Sequence, residues 1–154
     1  MKKVFITTLF MIMLSIGAAH AENPLDKEIQ VFLEEQCDVF DVPVPLAMAV
    51  MHVETGGTFN TNLVSSTNDY GLFQINKVHH KWLRDAGCTN LFNPRHNIIA
   101  GLMILSDAMS RTNTKEQALV MYNHGSGSAK RLFAQGTYST PYSRKVLGLE
   151  KTYQ

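Results

Sequence analysis

Five side chains have the types and spacing to do chemistry: Glu54, Asp69, Gln74, Tyr122 and Asn123. Glu54 closes the apolar run Leu46-Ala47-Met48-Ala49-Val50-Met51-His52-Val53, and Thr55-Gly56-Gly57 follows at once. The run reads as a helix and the glycines as its stop. A carboxylate at the end of such a helix is costly to bury when charged. Desolvation raises its pKa and keeps a proton on it near neutrality. A general acid for glycosidic cleavage needs that property. The plainer alternative places Glu54 on a solvated helix face. Asp69 lies 15 residues on, in Asn68-Asp69, where a turn role is common and a second carboxylate role is the sharper reading.

The elements that must hold these residues follow from periodicity and punctuation. Leu25, Ile29, Phe32, Leu33 and Phe40 are spaced as one helix face, and Val42-Pro43-Val44-Pro45 separates that helix from the one ending at Glu54. Thr58 to Asn68 is polar and reads as a loop or small hairpin. Lys77 to Ala86 reads as a helix stopped by Gly87. Asn93-Pro94 is a cap and first-turn pair that opens a helix burying Ile98, Ile99, Leu102, Met103 and Leu105. Thr114-x-x-Gln117 resembles a capping box for a helix ending at Tyr122, with His124-Gly125-Ser126-Gly127 as its break. Short helices from Ser128 and from about Pro141 complete a single, mostly helical domain.

The first residues carry a secretory pattern. Lys2-Lys3 is followed by the mostly apolar stretch Val4 to Ile16 and then by Ala19-His20-Ala21, a small-x-small cleavage site. An uncleaved anchor is the rival reading, but the stretch is short for a span of about 20 residues. The expected division is therefore a signal peptide over 1–21 and one domain over 22–154, with an exported, periplasmic or extracellular, location and no stable membrane anchor. Without Lys2 and Lys3 the 14 basic residues become 12 against 13 acidic ones. That balance supports neither nucleic-acid nor polybasic membrane binding.

Cys37 and Cys88 are the two cysteines. In an exported chain a pair favours a disulfide, here closing a 51-residue loop for about 4 kcal/mol of stabilisation. The histidines show no His-Glu-x-x-His spacing, and there is no Cys-x-x-Cys, so no metal site and no cofactor are expected. Gly125-Ser126-Gly127-Ser128 lacks phosphate-loop and nucleophile-elbow spacing and reads as a turn.

Several segments together resemble the catalytic domain of Slt-type lytic transglycosylases. Glu54-Thr55-Gly56 stands for Glu-Ser-Gly, with Phe59-Asn60 and Ser65 continuing the pattern past a short insertion at Gly57-Thr58. Gly71-Leu72-Phe73-Gln74 stands for Gly-Leu-Met-Gln. Asn93-Pro94 with Asn97-Ile98-Ile99-Ala100-Gly101 matches the Asn-Pro…Asn-Ile-x-Ala-Gly helix. Ala118-Leu119-Val120-Met121-Tyr122-Asn123-His124-Gly125 is similar to Ala-Leu-x-Ala-Tyr-Asn-x-Gly, and Tyr142-Ser143-Arg144-Lys145-Val146 to Tyr-x-x-Lys-Val. Asp69-Tyr70-Gly71-Leu72-Phe73-Gln74-Ile75-Asn76 also resembles a segment of c-type lysozymes whose Asp is catalytic.

The resemblance implies a lysozyme-like α domain with a small loop or β-hairpin after the catalytic helix. Its activity would be metal-free cleavage of the MurNAc–GlcNAc β-1,4 bond of peptidoglycan, closing a 1,6-anhydro ring. Glu54 would be the acid and then the base, and Asp69 a second carboxylate. Tyr122 and Asn123 would orient Glu54 or the substrate acetamido group, and Ser65, Gln74 and Tyr142 would hold the glycan. An acid at position 69 is most like the small enzymes attached to secretion, pilus or conjugation machines. The expected partners are glycan strands and such an apparatus, with the enzyme itself a monomer. The alternatives are a lysozyme-like hydrolase using Glu54 and Asp69, and a non-catalytic wall-binding assembly subunit.

Overall fold

A computed structural model describes residues 24–154; the expected signal segment, 1–21, lies outside the described residues. The order of elements is α1 Lys27–Phe40, α2 Val44–Glu54, β1 Asp69–Tyr70, β2 Ile75–Asn76, a 3-10 turn Lys77–His79, α3 His80–Asp85, α4 Pro94–Ser110, α5 Lys115–Ala134 and α6 Pro141–Glu150. The domain is mainly α and lysozyme-like, with one small hairpin after the helix that carries Glu54. Among the described residues no helix is long and apolar enough to cross a membrane.

Helix α2 is apolar on every side, and Leu46 to Met51 are all buried, so it must run through the middle of the domain. Pro45 sits in its first turn, where a missing N–H costs nothing. Helix α6 packs on α2 and on α5, while α4 packs on α1 and α5. Leu33, Leu46, Phe73, Ile98, Leu102 and Leu119 meet in the core between them.

The caps largely follow the local sequence. Asn93 accepts from the Arg95 amide at 2.9 Å, and Pro94 opens α4. Ile98, Leu102 and Leu105 of α4 are buried, while Ile99 and Met103 are half-buried. Thr114 accepts from the Gln117 amide at 3.2 Å, but the Gln117 carboxamide takes the amide of Asn113, so the box is only half made. A full capping box forms instead between Thr140 and Ser143 at the start of α6. The expected break after Tyr122 is a kink: Gly125 leaves helical geometry (φ 73°, ψ 154°), and the chain resumes as helix to Ala134.

The strands lie on the motif itself and not within 58–68. Asp69 pairs with Asn76 and Tyr70 with Ile75, with a further bridge from Val64 to Tyr70. Asn97 of α4 seats this hairpin. Its carboxamide accepts from the Phe73 amide at 2.8 Å and donates to the carbonyls of Tyr70 (2.8 Å) and Leu91 (2.9 Å). Gly71 has φ 72°, and a Cβ there would meet Asn97 Nδ2 at 2.3 Å. A Cβ on Gly101 would meet the Phe73 ring at 2.1 Å. Close approach at these two glycines is what lets the hairpin lie flat on α4.

The expected Cys37–Cys88 disulfide is not made; both are buried, free thiols. Cys37 borders a recess with Val42 and with Met109, near the C-terminal end of α4. Cys88 borders another with Leu91 and Phe92, just ahead of its N-terminal end. The 17 residues of α4 span about 25 Å at 1.5 Å per residue. A disulfide needs Cα atoms within about 7 Å. Burial, helped by Asp38 and Glu34, pushes the Cys37 thiol up to about 12, which leaves it unreactive.

Candidate active site

Glu54 is the last residue of α2, where the buried helix reaches a cleft of about 590 Å³. Burial pushes its carboxyl up to about 7, from 4.5. The Tyr142 hydroxyl, donating to Oε1 at 2.6 Å, pulls the other way, and the charge of Asp69 pushes up again. The C-terminal end of α2 carries partial negative charge and works in the same direction as burial. Among the described residues no protein donor reaches the other carboxyl oxygen. That oxygen is available to carry a proton into the cleft.

Asp69 stands on the hairpin and has the opposite character. Burial alone would raise its pKa, but hydrogen bonds from Ser65, Thr67 and Asn76 outweigh it and hold the carboxyl below its ordinary value. Ser65 donates to Oδ2 at 2.6 Å, Thr67 donates to the same oxygen, and Asn76 donates to Oδ1 at 2.5 Å. The local sequence explains the cage. Ser65 to Asn68 form a tight turn, closed by the Asn68 amide on the Ser65 carbonyl at 3.1 Å with Asn68 at φ 62°, and it folds Ser65 and Thr67 back onto Asp69. The antiparallel register brings Asn76 directly opposite Asp69.

The other expected site residues divide. Ser65, Gln74, Tyr122 and Asn123 all border the cleft with Glu54 and Asp69. Ser65 also serves Asp69, as above. Gln74, at φ 46°, donates to the carbonyls of Gly71 (2.8 Å) and Leu63 (3.3 Å) and so staples the hairpin. Tyr122 donates to the Phe73 carbonyl at 2.8 Å, tying α5 to the hairpin, and has no bond to Glu54. Asn123 is exposed on the α5 wall, beside the Gly125 kink. Tyr142 is not on the cleft surface; it sits behind Glu54 as the donor described above. Burial and then the charge of Glu54 hold both tyrosines well above the usual phenol value, so both remain donors.

Sequence reasoning missed Thr67 and Asn76 as partners of Asp69, and Asn97 as the anchor of the hairpin. The turn-forming run Ser65-Ser66-Thr67-Asn68 and the pairing of a hairpin turned at Gly71 were signals for the first two. Nothing local pointed to Asn97, whose bonds to Tyr70 and Phe73 join residues 27 and 24 positions apart. Among the described residues there is no cluster of three or more His, Cys, Asp or Glu that could hold a metal ion.

A buried central helix that delivers a proton-holding carboxyl to a cleft, facing a hairpin with an ionised one, defines a lysozyme-like domain. The chain belongs to the transglycosylase SLT domain family, whose model matches residues 32–142 and so takes in Glu54, Asp69 and Tyr142. It is a lytic transglycosylase in the general sense of that family, with peptidoglycan as its substrate. No curated protein gives a match to the chain.

Proposed function

We propose that the protein is an exported, periplasmic enzyme that cleaves the β-1,4 bond between N-acetylmuramic acid and N-acetylglucosamine and leaves a 1,6-anhydromuramic end. The observation that carries this reading is the Glu54 carboxyl, held near a pKa of 7 by burial at the cleft. Near neutrality such a group can give up a proton and take one back, which ring closure requires. Glu54 protonates the bridging oxygen, and the bond to the anomeric carbon breaks. The Asp69 carboxylate, or the sugar's own acetamido group, stabilises the positive charge that develops there. Glu54, now a carboxylate, accepts the proton of the C6 hydroxyl as its oxygen closes the ring. Atoms balance without water, and Glu54 ends protonated as it began.

The ionised state of Asp69 favours one further reading, a lysozyme-like hydrolase in which water reaches the anomeric carbon. Mass analysis of products from purified peptidoglycan separates the two. Anhydro products are expected; products one water heavier, with a free reducing end, would make the enzyme a hydrolase. The resemblance to small transglycosylases of secretion, pilus and conjugation machines supports a role in local wall opening for such an assembly.

A further inference from the structure

Val78 is 76% exposed and Trp82 47% exposed. Single exposed apolar side chains are ordinary. Val78 borders the cleft, and Trp82 lies just outside it, against the ring of His79. The 3-10 turn that follows the hairpin brings Val78 and His79 into the cleft wall. The His79 ring lies edge-on to the Trp82 indole, with centroids 6.3 Å apart. Burial and the neighbouring His80 keep the pKa of His79 below its usual value, so its ring adds no charge near neutrality. An apolar strip therefore runs from the cleft, across His79, to the indole.

The reason for the exposure is local. Helix α3 has six residues and buries only Leu83, so Trp82, with the His79 ring on one side, keeps about half of its surface exposed. The strip differs from the wall beside it, where Ser65, Asp69, Gln74 and Asn76 present hydrogen-bonding groups. A glycan strand needs both kinds of surface: polar groups for its hydroxyls, and a flat apolar face for the C–H side of a pyranose. Apolar surface continuous with a ligand cleft is a common mark of an extended binding groove.

We propose that Trp82, together with Val78 and His79, forms an outer glycan subsite that stacks on the C–H face of a sugar beyond those held at Glu54 and Asp69. The subsite rests on the glycan-cleaving function above, because one strand must run through both places. It makes the enzyme prefer strands long enough to pass the hairpin and reach α3.

Trp82 is the one tryptophan of the chain, so intrinsic emission reports on it directly. Glu54→Gln protein, which holds glycan without cleaving it, is titrated with N-acetylglucosamine dimer and hexamer, and heat release is followed in parallel. The hexamer is expected to shift or quench the emission, and the dimer to leave it unchanged. In protein that keeps Glu54, Trp82→Ala should raise KM on long strands about fivefold to tenfold with kcat nearly unchanged, and Trp82→Phe should keep most of the affinity. Heat release from the hexamer with unaltered emission would overturn the subsite and leave the cleavage function standing. So would an unchanged KM in Trp82→Ala, or a loss in Trp82→Phe as large as in Trp82→Ala. Wild-type protein that neither binds the hexamer nor cleaves peptidoglycan would overturn the function itself, and the subsite with it.

Discussion

The two walls of the cleft carry the same functional group in opposite states. On one wall the end of α2 delivers Glu54 from a buried apolar helix, with Tyr142 as its one hydrogen-bond donor among the described residues. On the other, the hairpin surrounds Asp69 with three donors, Ser65, Thr67 and Asn76. Burial opposes charge on both, but only Asp69 has enough donors to overcome it. Near neutrality one carboxyl can give a proton and the other stays negative. The difference lies in the number of donors each backbone element can bring. A helix end exposes its own carbonyls, whereas a turn leading into a hairpin brings side chains to Asp69 both from the turn, Ser65 and Thr67, and from the opposite strand, Asn76.

The largest break in this comparison is Glu54→Gln. It keeps the shape and the Tyr142 contact but has no proton to give, so wall lysis should fall by about 10⁴-fold, the upper part of the range for acid–base assistance. The fold should be kept and even stabilised. A carboxyl whose pKa is raised on folding costs stability as pH rises from its unfolded value near 4.5 through about 7. Above pH 7, Glu54→Gln should therefore be more stable than wild type by up to about 3 kcal/mol, with the gain vanishing near pH 4. Urea unfolding at several pH values checks the sign. Near-normal turnover by the folded variant would remove Glu54 from the mechanism.

Next comes Asp69→Asn, which removes the fixed negative charge. Cleavage should slow by about 10²-fold, less than in Glu54→Gln. The lost charge also relieves Glu54, so the alkaline limb of the pH–rate profile should move to lower pH. An unchanged rate would return Asp69 to the role of a turn residue.

Gly101→Ala disturbs the hairpin wall alone. The added methyl must displace the Phe73 ring, at a cost of about 1–3 kcal/mol in thermal or urea unfolding. Full stability in this variant would mean that the hairpin can shift off α4 freely.

Tyr142→Phe is the mildest. It deletes the only donor on Glu54 among the described residues, so the carboxyl pKa should rise further and activity should persist to higher pH. A pH–rate profile identical to wild type would show that the bond does not tune the acid.

Much of this architecture is legible in the chain. The apolar run ending at Glu54, the Asn93-Pro94 start of α4 and the polar segment before Asp69 all depend on neighbours a few residues away, and periodicity and capping report those directly. The hairpin position was harder to read, because two-residue strands leave almost no alternating pattern. The Gly125 break and a helix beyond it were both visible, but not that the break is a kink at a single residue with helix on either side.

What the sequence determined by itself is the set of helices and the place of one carboxyl at the end of an apolar one, since both follow from local spacing. Only the tertiary structure decided the rest. It brought Tyr142, 88 residues away, to donate to Glu54, and made Asn97 the anchor of the hairpin. It also set Cys37 and Cys88 at opposite ends of α4, too far apart to bond. The physical reason is the same in each case. A hydrogen bond or a disulfide needs two groups within a few ångströms, and for residues far apart in the chain that distance is set by how the helices pack.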